Sequence, residues 1–116
     1  MSENAYSELL WHMFLRGHDG LAMWCTDPET LKETQLVQTV YAQALEHAEF
    51  LDKGVPMLFD IPAEPGTVVS ALRLGKRLLV RRTDFRPNPA PVQVNIEGVS
   101  LAVPAKPGTC QILHLP

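Results

Sequence analysis

The sequence predicts an α+β fold: an N-terminal helix–strand–helix segment followed by an antiparallel β-sheet or sandwich of about five or six strands. Three observations carry this. Apolar side chains recur at helical spacing between Tyr6 and Leu15, and a capped amphipathic stretch runs from about 28 to 52. Beyond residue 52 the texture changes, because nine of the ten prolines lie there and separate short β-prone runs. The boundary between the two parts is placed at 54/55, giving a helical segment 1–54 and a β segment 55–116.

In the first helix Tyr6, Leu9, Leu10, Met13 and Phe14 follow the spacing of one helical face, and Trp11 and Leu15 widen it until only a thin polar strip is left. Gly17 ends the helix as a residue able to take positive φ. The run Gly20–Cys25 is continuously apolar, the pattern of a short strand covered on both faces. Asp27 then caps a second helix, Pro28 suits its first turn, and Glu29 complements the positive end of its dipole. That helix sets Val37, Val40, Tyr41, Ala44, Leu45, Ala48 and Leu51 on one stripe, and Gly54 and Pro56 terminate it. The strand candidates are 57–61, 67–74, 76–84, 91–97, 99–103 and 109–115, with tight hairpin turns at Gly75-Lys76 and Glu97-Gly98. Val92, Val94 and Ile96 alternate with polar residues, as in a sheet with one wet face.

At 116 residues the chain buries only about two-thirds of its unfolded surface, which disfavours a large multi-part active site. A formal charge of −3 supplies no field to hold phosphate backbones, so nucleic acid is not an expected partner. The basic run Lys76, Arg77, Arg81, Arg82 and Arg86 reads at strand period as a solvated face. The start of the chain lacks the pattern of a secretory signal and no stretch is long enough for a membrane span, so the expected location is cytoplasmic, with no membrane partner. Cys25 and Cys110 fit no metal-ligand spacing and are expected to be buried free thiols.

The stretch from Leu10 to Trp24, LWHMFLRGHDGLAMW, together with 76–85 and 91–96, resembles the C-terminal end of a (β/α)8-barrel glycoside hydrolase: its seventh helix, eighth strand and appended β-sandwich. The likeness is one of layout and spans most of the chain. It implies that the paired carboxylates of such enzymes, borne on earlier barrel strands, are not part of this chain. It also implies that Trp24, at the end of the last barrel strand, stacks on a sugar ring, with Asp27 and His18 as polar contacts.

No catalytic, cofactor or metal constellation emerges from the residues themselves. Asp19, Asp60, Asp84 and Glu97 are scattered at turns and strand ends; His12 and His47 lie on helices with mixed surroundings; His18 and His114 share no ligand spacing with them. Neither Cys25 nor Ser70 has a sequence-adjacent partner that would activate it. The leading expectation is therefore a structural or assembly unit completed as a homo-oligomer or by a larger partner chain. Two alternatives stand beside it: a stand-alone carbohydrate- or protein-binding module, and a small glycosidase whose site, built from Asp27, His18 and Arg86, is shared between subunits.

Overall fold

The computed structural model describes residues 2–17, 27–60 and 66–116; for 27–31 and 33 it describes the backbone alone. The expected strand 20–25 lies outside the described residues. The elements are α1 (Glu3–Leu15), α2 (Asp27–Ala44), a 3₁₀ turn (Leu45–His47), α3 (Ala48–Lys53), β1 (Val55–Pro56), β2 (Thr67–Leu74), β3 (Arg77–Asp84), β4 (Val92–Ile96), β5 (Val99–Val103) and β6 (Cys110–His114). The α+β class is as predicted. The strands form a four-stranded antiparallel sheet in the order β1-β2-β3-β6 and a separate β4-β5 hairpin.

Two-residue alternation along β2 and β3 gives the large sheet two distinct faces. Ala71, Leu78 and Val80 pack against Ile96 and Val103 of the hairpin, forming one buried core. Leu72 and Leu79 point the other way and pack against Leu15 of α1 and Phe50 of α3. A third cluster joins the helices to each other through Leu10, Trp11, Val40 and Ala44, with Cys110 of β6 against it. The molecule is thus layered: helices, central sheet, hairpin.

Local chemistry explains the boundaries. The Ser2 hydroxyl caps α1 by accepting from the Ala5 amide at 3.1 Å, which starts the helix one turn ahead of its apolar pattern. Strand β3 follows β2 through Gly75-Lys76, and β5 follows β4 through Glu97-Gly98, where both residues have positive φ (51° and 81°), as a type I′ turn requires. The Asn95 side chain accepts from the Gly98 amide and holds that turn closed.

Two expectations are corrected. The second helix is not continuous to 52, because a 3₁₀ turn at 45–47 winds more tightly and rotates the succeeding helix α3 by about 60°. Phe50 is therefore turned into the core, while Tyr41, Leu45 and Ala48 of the expected stripe are exposed, Tyr41 ahead of the turn. The candidate strand 57–61 is not formed over its described residues 57–60; a two-residue strand precedes it instead, Val55–Pro56, paired with Arg73 and Leu72. Pro56 has no amide donor to extend the ladder. One further bond, from the Met57 amide to the Ala71 carbonyl at 3.0 Å, ends it, and Met57 and Leu58 pack on the sandwich core. Gly54 is required for space: a Cβ there would clash with the Phe50 carbonyl oxygen and meet the Leu72 Cβ at 3.1 Å.

Because Phe50 joins α3 to the sheet, Phe50→Ala is expected to lower unfolding free energy by about 3–5 kcal/mol. Tyr41→Ala, on the exposed side of α2, is expected to cost under about 1 kcal/mol. Urea unfolding followed by circular dichroism checks the pair; equal losses would show that Phe50 does not anchor α3 to the sheet.

Candidate functional site

The densest arrangement of chemical groups lies between α1 and the central sheet. Glu8, His12 and Arg16 are spaced four residues apart, so they form one line along the helix. That line faces Ser70 of β2 and Arg81 and Thr83 of β3, all of them buried. Ser70 and Arg81 are cross-strand partners, which brings their side chains to the same face.

At one end Arg81 donates to Glu8 Oε2 from both Nε (2.9 Å) and a terminal nitrogen (2.7 Å). The guanidinium carbon lies 4.8 Å from the centroid of the buried Trp11 ring, and its remaining terminal nitrogen is 3.7 Å from Cys110 Sγ. In the middle, the two ring nitrogens of His12 are hydrogen-bonded to Ser70 Oγ (2.7 Å) and Thr83 Oγ1 (2.8 Å); in the neutral ring one nitrogen donates and the other accepts from a hydroxyl. At the far end Arg16 donates from Nε to Ser70 Oγ at 2.8 Å, and from a terminal nitrogen to the carbonyls of Asp60 and Val69.

Burial, and then the flanking guanidiniums of Arg16 and Arg81, lower the pKa of His12 from 6.5 to about 4. The imidazole is therefore neutral at pH 7. Burial also raises the Cys110 thiol above its ordinary value, against the smaller opposing effect of Arg81, so the free Cys110 is not a ready nucleophile.

The Ser70–His12 contact has the element types of a hydroxyl nucleophile and its base, but Ser70 is fully buried and both imidazole nitrogens are occupied by hydroxyls. No open position remains for a substrate atom, so the arrangement works as a polar seam joining helix to sheet. Among the described residues no group of three or more His, Cys, Asp or Glu side chains is placed to hold a metal ion.

The side chains expected to bind a ligand fall outside what the structure describes. His18 and Trp24 lie outside the described residues, as do Asp19 and Cys25, and Asp27 begins α2 with its side chain outside them. Arg86 is exposed on the loop after β3. The solvated basic face is corrected: Arg81 and Arg82 are both buried, on opposite faces of β3. Arg82 donates to Asp84 Oδ1 (3.1 Å) and to the carbonyls of Val103 (2.8 Å) and Asn88 (2.9 Å), so it pins the hairpin and the 85–91 loop to the sheet. His12, expected in mixed surroundings, is buried. The seam was signalled only by its spacing, with Glu8, His12 and Arg16 recurring every four residues along a helix that is otherwise mostly apolar.

No protein-family model, curated protein or solved structure matches this chain.

Two predictions come from the seam. The folded protein holds His12 at about 4 while the unfolded chain titrates near 6.5, so the unfolded state binds the extra proton between these values. The stabilisation is complete above pH 6.5 and is lost as pH falls toward 4, by about 3 kcal/mol. Urea titrations at several pH values read this slope; a His12→Gln variant retaining the full slope would assign it elsewhere. Separately, Glu8→Gln is expected to cost about 3–5 kcal/mol by stranding the buried Arg81, whereas Glu8→Met combined with Arg81→Leu loses far less. A double-mutant cycle measures the difference.

Proposed function

We propose that the chain is a structural and assembly unit, non-catalytic by itself, of the kind that closes a (β/α)8 glycoside hydrolase barrel, and that its helical layer is covered by the body of such a barrel on a larger chain. The observation that carries this is the way α1 divides its faces. Its polar line, Glu8, His12 and Arg16, is spent inward on the β layers, and Leu10 and Trp11 face α2. Apolar side chains are left outside: Leu9 is 43% exposed, and on the second helix and the turn after it Tyr41 and Leu45 are 52% and 50% exposed.

A helix that buries Glu8 and His12 while Leu9 stays exposed reverses, at those positions, the allocation of an ordinary surface helix; its Leu10 and Leu15 are buried in the usual way. The reversal is reasonable where another apolar layer covers the outside, as barrel strands would. Tyr41 and Leu45 also wall a groove of about 500 Å3 together with Phe14, Leu51, Pro56 and Leu72. An assembly role also fits the chemistry of the seam, whose serine, histidine and carboxylate are all engaged in holding layers together. Trp11 lies buried beneath Arg81 and offers no face to a sugar.

The isolated chain should therefore bind an apolar fluorescent dye, and a Leu9→Lys/Leu45→Lys double variant should lose most of that signal with its circular dichroism unchanged. Aryl glycosides should show no turnover. Dye binding unaffected by the double variant, or turnover by the purified chain, would overturn the proposal.

A further inference from the structure

The central sheet ends differently at its two edges. At one, β1 is two residues long and contains Pro56, a short and proline-blunted edge of the kind that resists pairing. At the other, β6 is a regular five-residue strand, Cys110–His114, with no proline, lysine or carboxylate, and with Ile112 43% exposed. Among the described residues none of the usual protections is present on this side.

The register tells which backbone groups face outward. Every β6 residue has a partner on β3, from Arg77 opposite His114 to Arg81 opposite Cys110. Continuing this register places Leu115 opposite Lys76, and the Leu115 amide donates to the Lys76 carbonyl at 2.7 Å. Antiparallel pairs alternate between hydrogen-bonded and non-bonded, so Leu113 and Gln111 also direct their amides and carbonyls at β3. The backbone groups of Cys110, Ile112 and His114 therefore point to the free edge.

These outward positions are self-complementary. We propose that β6 pairs with β6 of a second copy across a twofold axis at Ile112, joining two four-stranded sheets into one continuous eight-stranded sheet. In this register Ile112 faces its own mate and Cys110 faces His114 of the other copy, so all three outward residues form hydrogen-bonded pairs, each exchanging two bonds. The strand carries no carboxylate, lysine or arginine, so no fixed like charges meet across the axis, and the two Ile112 side chains form a β-branched cross-strand pair. The inference rests on the assembly reading and names one partner, a second copy of this chain, at a surface separate from the helix face.

Light scattering coupled to size exclusion over a concentration series is the test. The full chain is expected to reach twice its 12.9 kDa mass. Ile112→Pro removes an outward amide and fills the edge while leaving the amides that bond β3, and Ile112→Lys sets like charges against each other on the axis. Both variants are expected to keep the native circular dichroism and to run as monomers, whereas Leu9→Lys/Leu45→Lys stays dimeric. A full chain that is monomeric at the highest attainable concentration overturns the pairing, as does a folded Ile112→Lys that remains a dimer. If the helix-face variant is the one that dissociates, the edge inference fails and the assembly reading survives.

Discussion

The ion pair of Glu8 with Arg81 and the hydrogen bonds of His12 with Ser70 and Thr83 decide how the helical layer sits on the sheet. An apolar contact tolerates sliding, since one leucine resembles another to the surface it covers. A buried guanidinium with one carboxylate in reach does not, because a shift of one helical turn would strand a charge away from water. Glu8 meets Arg81, and His12 and Arg16 share Ser70 while adding Thr83 and the carbonyls of Asp60 and Val69, so only one register satisfies them together. Their contribution is to specificity of docking more than to net stability, as a well-packed apolar replacement of such a pair is often equally stable.

The same strand does this twice. Arg81 and Arg82 are neighbours in sequence and therefore point to opposite faces of β3. Arg81 receives the helix, and Arg82 receives the hairpin through the Val103 carbonyl and the adjoining loop through the Asn88 carbonyl. Two consecutive arginines in the middle layer thus tie the outer layers to one strand. Apolar residues on either side, Leu78 and Val80 on one face and Leu79 on the other, exclude water from both contacts and so strengthen them.

Much of this architecture was legible in the sequence, and the parts that were not share a cause. The runs 67–74, 76–84, 91–97, 99–103 and 109–115 match observed strands to within a residue or so at each end, because turn chemistry at Gly75 and Glu97-Gly98 and two-residue alternation are local properties. The seam was not legible, because its meaning depends on which side of α1 meets the sheet. Hydrophobic periodicity assigns the apolar stripe to the interior and the polar strip to water, and here Glu8 and His12 are buried and Arg16 turns to the sheet beside them. Arg81 and Arg82 were misplaced for the same reason: a charge is assigned to solvent unless a partner is known, and the partners are 73 residues away for Arg81 and 21 for the Val103 carbonyl that meets Arg82. The break at 45–47 is a subtler failure, since nothing in Leu45-Glu46-His47 forbids an α-helix and the pull of Phe50 into the Leu15–Leu72–Leu79 cluster is a tertiary effect.

A helix has a limited number of faces, and the allocation on α1 has a consequence for the rest of the molecule. One face is committed to the sheet by charge, and a second to α2 by Leu10 and Trp11, and Leu9, on neither face, is left 43% exposed. Rotating the helix to bury Leu9 would expose the Arg81 guanidinium side of the seam and leave Glu8 and His12 without partners, at a cost exceeding the burial of one leucine, worth about 1.5–3 kcal/mol. The exposed apolar surface is therefore a result of the polar docking and not a defect in packing.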